Sequence, residues 1–127
     1  MHENRNVDGL VRRPAFSHAT IADDTIYVSG TIGSHDDQFQ PVSGTVGEQT
    51  TQALRNLERI LEACGASVDD VVKVTVALTD MSTFGEMNEA YVLVFRESPP
   101  ARATMGVSEL VLGASVQIEC IAVRQRT

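Results

Sequence analysis

The sequence predicts an α+β layer sandwich, a mixed sheet of about six strands with two helices on one face, and three observations carry that prediction. From Val116 to Val123 the side chains alternate: Val116, Ile118, Cys120 and Ala122 line one face, and Gln117, Glu119, Ile121 and Val123 the other. From Val46 onward, Val46, Thr50, Ala53, Leu54, Leu57, Ile60, Leu61 and Cys64 form one stripe of helical period, with Glu48, Arg55, Glu58, Arg59 and Glu62 outside it. Strand and helix patterns interleave in the order β-β-α-β-α-β-β without a repeat, low-complexity tract or linker, so residues 1–127 read as one domain.

Taken in order, residues 1–9 are polar and read as a loosely ordered tail without the apolar core of a secretory signal. Ser17–Ala22 and Thr25–Ser29 are strand candidates about a turn at Asp23-Asp24. Residues 33–45, with Gly33, Ser34, His35, Asp36, Asp37, Pro41 and Gly44, form a polar loop. The first helix stops at Gly65. A β-branched strand follows, with Val72, Val74, Val76 and Leu78 on one face and Val71, Lys73, Thr75 and Ala77 on the other. A second helix begins near Asp80 or Ser82, either able to cap it. It carries Phe84, Met87, Tyr91, Val94 and Phe95 on one stripe and ends at Ser98-Pro99-Pro100. The last strands span about Ala101–Val107 and Ser115–Val123.

Composition narrows the class. With 43% apolar and 21% charged residues the chain is of the soluble globular kind. Its two cysteines, Cys64 and Cys120, sit at apolar positions and read as reduced core residues, which points to the cytoplasm. The net charge of -7 argues against nucleic acid and anionic membranes as partners. No apolar run approaches the roughly 20 residues that span a bilayer.

The sheet face turned away from the helices carries Lys73, Thr75, Ala77, Gln117, Ile121 and Val123, neither polar nor apolar throughout. Such a face in a small protein tends to be covered by another subunit, so a closed oligomer is expected. Two charges stand out within the strands, Arg102 and Glu119. Each is costly there unless paired or used, and arginine is the side chain best shaped to grip a carboxylate with two parallel hydrogen bonds. On residues alone, a structural ion pair joining strands or subunits and a functional pair are both open.

Several blocks together point to a family. They are Glu48-Gln49-Thr50-Thr51-Gln52-Ala53-Leu54-Arg55-Asn56-Leu57, Ile60 to Ser67, Asp70-Val71-Val72-Lys73-Val74-Thr75-Val76, and Asp80-Met81. Met87-Asn88-Glu89-Ala90-Tyr91, Phe95, Pro100-Ala101-Arg102-Ala103 and Ile118-Glu119 complete the set. In this order they resemble the Rid family, the reactive intermediate deaminases or YjgF-like proteins, in its arginine-bearing branch, over about Phe16 to Arg124. The resemblance implies a chorismate-mutase-like fold and a homotrimer with clefts between subunits. It also implies cofactor-independent hydrolysis of enamines and imines such as 2-aminoacrylate to 2-keto acids and ammonia. By the same resemblance Arg102 holds the substrate carboxylate and Glu119 orients or activates water. Ser29 and Gly30 help line the cleft, and Asn88 lies near it.

The chain departs from the family's pattern in its pocket wall. Phe16 stands where tyrosine is usual, Thr31 where glutamine is common, and Thr104 where many members carry cysteine, with Gly106 close behind. Phe16 and Thr104 thus join Arg102, Ser29, Gly30 and Asn88 as candidate substrate contacts. They also keep open a different substrate, of the aminomuconate type or a biosynthetic tailoring step. A binding protein that grips a carboxylate metabolite without turnover remains a further reading.

Other candidates read as structural. His2, His18 and His35 lie far apart in unlike contexts, so no metal site is expected, and His18 reads as an edge-strand histidine that could approach the cleft. Lys73 reads as a solvated or inter-subunit lysine. Neither cysteine has a cationic neighbour in sequence to make a reactive thiolate, and Gly44-Thr45-Val46-Gly47 lacks the pattern of a phosphate loop.

Overall fold

A computed structural model describes residues 2–35 and 39–125. Its strands are β1 (Glu3–Arg5), β2 (Ala19–Ala22), β3 (Thr25–Thr31), β4 (Val71–Leu78), β5 (Ala101–Gly106) and β6 (Val116–Val123), and its helices α1 (Val46–Ala63) and α2 (Phe84–Tyr91). The strands make one six-stranded sheet in the order β1-β2-β3-β6-β4-β5. All neighbours are antiparallel except β4 and β5, which run parallel and are joined through α2. Leu54, Leu57 and Leu61 of α1 and Met87 and Tyr91 of α2 pack with Val74, Val76, Ile118 and Cys120, so both helices lie on one face, as the sequence predicts.

The start of α1 carries a reciprocal cap that the sequence reading passed over. Thr45 Oγ1 accepts from the Glu48 N–H at 3.1 Å, and Glu48 Oε1 accepts from the Thr45 N–H at 3.0 Å. These bonds hold the Glu48 carboxyl below the usual carboxylate range. At the other end Gly65, at φ 78°, turns the chain, and the Gly65 and Ala66 N–H groups return to Glu62 and Leu61. The remaining carbonyls of that end receive arginines, Arg5 on Ala63 and Arg124 on Cys64.

Four expectations are corrected here. Residues 1–9 are not simply a tail, because Glu3–Arg5 adds β1 to β2. That segment has no apolar alternation to reveal it; it is held by its ladder, by Arg5, and by Asn6 Oδ1, which accepts from the His18 N–H at 3.0 Å. His18 is consequently buried, not at an edge: Nδ1 accepts from the Val7 N–H at 2.9 Å, which leaves Nε2 to donate to the Val11 carbonyl at 3.0 Å. In β4, Val71 (7% exposed) points inward and Val72 (50%) outward, because the register against β6 shifts by one residue between Val71 and Lys73. Finally, α2 ends at Tyr91, well before Pro99: β-branched Val92 and Val94 weaken the helix, and its last turn tightens into a Val94 N–H bond to the Tyr91 carbonyl. Asp80 caps the short 3-10 turn Met81–Thr83 that leads into α2. Of the polar loop, Asp36 and Asp37 lie outside the described residues.

Two buried polar side chains of α1 tie the sheet's loops to the core. Asn56, 2% exposed, donates through Nδ2 to the carbonyls of Ile32 (3.1 Å) and Ser34 (2.7 Å), fixing the chain just after β3. Gln49 donates to the Gly44 carbonyl at 3.0 Å and accepts from the Ser115 N–H at 2.8 Å, fixing the entry to β6. Asn56→Ala leaves two buried carbonyls without donors and should lower unfolding free energy by about 2–3 kcal/mol in urea titration. A loss under about 0.5 kcal/mol, the range of an ordinary surface change, would contradict this role.

Candidate functional site

The register decides where the two strand charges go. On β5, Arg102 is paired with Val74, whose side chain is buried under the helices. Directly paired residues share a face, so Arg102 and Thr104 point to the helix side. On β6, Glu119 is paired with Thr75, on the opposite face. Arg102 and Glu119 therefore do not pair within the chain, and the structural ion pair is ruled out as an intrachain contact.

Arg102 is half-buried between α2 and the edge of the sheet. Its Nη1 donates to Asn88 Oδ1 at 2.7 Å. Its guanidinium carbon lies 4.6 Å from the Tyr91 ring centre and 5.5 Å from that of Phe84. Phe84, Asn88 and Tyr91 stand at i, i+4 and i+7 on one face of α2, so this cradle was readable from helical spacing. The sequence reading took Tyr91 and Phe84 only as core. Among the described residues no carboxylate stands within ion-pairing distance of Arg102, so its charge meets only neutral groups. Thr104 lies beside it with a buried, unpartnered Oγ1, and the buried Tyr91 hydroxyl is likewise unpartnered. Such groups typically cost about 1–3 kcal/mol each.

A second group forms around β3. Val28 pairs with Cys120 and Thr31 with Ile118, so Ser29 and Gly30 together oppose Glu119 in a bulge. Bulges of this kind re-aim side chains, and this one sets the exposed Glu119 carboxylate beside the Ser29-Gly30 turn. A Cβ at Gly30 would lie 2.5 Å from the end of the Gln117 side chain, which covers the glycine and would have to swing aside. Ser29 Oγ donates to the Ser17 carbonyl at 2.6 Å. Phe16, 41% exposed, joins Ser29 and Gly30 at the mouth of a cavity of about 130 Å³ whose deeper wall includes Leu10, Ile32 and Ile60. Of the polar side chains of that wall, His18 and Asn56 bond backbone groups, Thr31 bonds the Ser29 carbonyl, and the Arg13 guanidinium lies 3.9 Å from the Phe39 ring centre.

The candidate residues thus fall into two sets: Asn88, Arg102 and Thr104 on one side, Phe16, Ser29, Gly30 and Glu119 on the other. Strands β3 and β5 are three spacings apart, about 14 Å at the usual strand separation; Glu119, on β6, is two spacings from Arg102, about 10 Å, and on the opposite face. The open face also leaves Tyr27, Met105 and Val123 exposed.

A family model described as Endoribonuclease L-PSP matches residues 10–124. The 2-iminobutanoate/2-iminopropanoate deaminase of Rattus norvegicus is 46% identical over 110 residues, covering 87% of this chain and 80% of that protein. The chain belongs to this family, the Rid proteins. The human protein of the same name is 42% identical over 109 residues, 86% of this chain and 80% of its own. Among solved structures, yeast Mmf1 superposes with a TM-score of 0.92 at 33% identity, covering 98% of this chain and 100% of that one. RidA from a Psychrobacter species gives 0.88 at 34% identity, with 95% and 98% covered. The residues that the family model matches take in both helices and every strand but β1.

No thiol serves the two sets. Both cysteines are buried, and burial pushes the Cys120 thiol up to about 12 and raises that of Cys64. Native protein treated with iodoacetamide at about pH 8, below the ordinary thiol pKa, should incorporate no label at Cys64 or Cys120 by mass spectrometry. Labelling without denaturant would contradict the buried, protonated state.

Proposed function

We propose that this Rid protein hydrolyses 2-imino acids, such as the 2-iminopropanoate formed from 2-aminoacrylate, to the 2-keto acid and ammonia, with its sites shared between subunits of a homotrimer. One observation carries the reading to this chain: in a close relative of imine deaminases, Arg102 keeps an uncompensated charge between neutral partners. A half-buried guanidinium so held has its remaining N–H groups available for an anion, and a carboxylate matches them.

The reaction needs few parts. Arg102, steadied by Asn88, holds the substrate carboxylate, with Thr104 beside it. Water adds to the imine carbon as the imine nitrogen takes a proton; the tetrahedral adduct then releases ammonia and leaves the keto group. Glu119 orients the water and passes protons, which is worth about 10²–10⁴-fold for a positioned acid–base group. The apolar cavity beside Phe16, Ser29 and Gly30 receives the substrate's alkyl group. No cofactor takes part in this scheme. Since the two sets stand apart on one sheet, Arg102 of one subunit and Glu119 of another complete each site. The mixed open face supports burial of that face against a neighbour. The cytoplasm, where free thiols such as Cys64 and Cys120 stay reduced, is the compartment we assign. An RNA-cleaving activity, as the family description has it, draws no support from a net charge of -7, which repels a phosphate backbone.

The test generates 2-aminoacrylate in situ with a pyridoxal-phosphate dehydratase and follows pyruvate release. The protein should accelerate release, and Arg102→Ala should lower kcat/KM about 10²-fold or more, the worth of a bidentate charged contact. Glu119→Gln should lower kcat while leaving the affinity for a 2-keto acid nearly intact; a pure binding protein would show no turnover to lose. No acceleration by the wild type, or equal acceleration by Arg102→Ala, would overturn the reading.

A further inference from the structure

Among the described residues, the two buried side-chain hydroxyls without a hydrogen-bond partner, those of Tyr91 and Thr104, both flank Arg102. Thr104 was already a candidate contact; Tyr91 has had no role beyond packing. Yet its position is specific. Phe95 packs against its ring at 4.8 Å and fixes its tilt, and the ring lies beneath the Arg102 guanidinium at 4.6 Å. The residue as a whole is only 4% exposed; its hydroxyl makes no hydrogen bond of ordinary geometry, yet lies near enough to Arg102 to feel the charge of the guanidinium.

Asn88 grips Arg102 through a single nitrogen, Nη1. One hydrogen bond fixes a point and leaves the guanidinium free to rotate about it. A carboxylate taken in bidentate fashion needs the plane of the guanidinium fixed as well. We propose that Tyr91 is a positioning residue that supplies the plane: its ring face and hydroxyl hold the Arg102 guanidinium in one orientation, so that the free N–H edge meets a substrate carboxylate squarely. This rests on Arg102 being the carboxylate grip. Burial raises the Tyr91 phenol above its ordinary range, more than Arg102 lowers it, so the hydroxyl stays neutral and leaves the arginine's charge for the substrate. Preorganising one long side chain in this way improves binding by removing the ordering that binding would otherwise require.

Tyr91→Phe is the deciding variant because it keeps the ring and the packing. Three quantities are compared in wild type, Tyr91→Phe, Tyr91→Leu and Arg102→Ala: KM and kcat for 2-iminopropanoate, the Kd of 2-oxobutanoate by calorimetry, and Tm. Tyr91→Phe should raise KM and Kd together by about threefold, with kcat within about twofold and Tm not lowered, the pattern of lost uniform binding. Tyr91→Leu should raise both by roughly tenfold, since it removes the face as well. KM and Kd unchanged in Tyr91→Phe, or a change confined to kcat or Tm, would overturn the proposal, and this holds even where Tyr91→Leu fails to fold. If Arg102→Ala leaves Kd unmoved, the carboxylate-grip reading itself fails, a result distinct from a silent Tyr91→Phe.

Discussion

Everything about the candidate site depends on strand parity. Side chains alternate across a sheet, and the registers of β6 and β5 against β4 set Glu119 with Thr75 and Arg102 with Val74. A one-residue slip of either strand would bring both charges to one face, and a slip of β6 would expose part of the core. The register of β6 on β4 is held by that core: Val74, Val76, Ile118 and Ala122 are fully buried, and a slip between these strands would turn residues of one of them outward. Apolar burial thus chooses the face that Glu119 occupies, while Asn88, Phe84 and Tyr91 of α2 hold Arg102 on the helix side. In the proposed reaction the gripping half is on the helix side of the edge strand and the water-handling half beside the β3 bulge.

Each half is stiffened from outside the strands. On one side α2 presents Phe84, Asn88 and Tyr91 to Arg102. On the other, Asn56 and Gln49 of α1 reach out of the core to the chain beyond β3 and before β6. Buried amides are expensive unless fully bonded, so these contacts specify loop position more sharply than apolar packing could. Gly30 belongs to the same half: lacking a Cβ, it lets Gln117 lie flat against the bulge and leaves Glu119 at its rim.

Much of this was legible in the residues. The alternation of Val116–Val123 and the stripe of α1 run undisturbed, and both appear where the pattern puts them. The misread points share a cause, a local feature that periodicity does not encode. The bulge at Val71–Lys73 inverted the start of β4. Val92 and Val94 ended α2 before its proline signal, and Glu3–Arg5 joined the sheet through its ladder and polar side chains, without an apolar face. The candidate residues could be named from the sequence, but their separation was not legible. Which face a charge takes relative to a charge on another strand depends on register, and register is a property of pairing between distant segments. The support that α2 gives Arg102 was written in the sequence as the spacing of Phe84, Asn88 and Tyr91, and became visible once Arg102 was set opposite that face.

The proposal that two subunits build each site is open to a direct measurement. Arg102→Ala and Glu119→Gln chains carrying different tags are co-expressed, and oligomers holding both are purified and assayed for 2-iminopropanoate hydrolysis. Sites shared around a closed trimer predict that each mixed oligomer regains one intact site, roughly a third of wild-type activity, while either parent alone is nearly inactive. Mixed oligomers no more active than their parents would mean that Arg102 and Glu119 serve the same site from one chain, against the parity of the sheet.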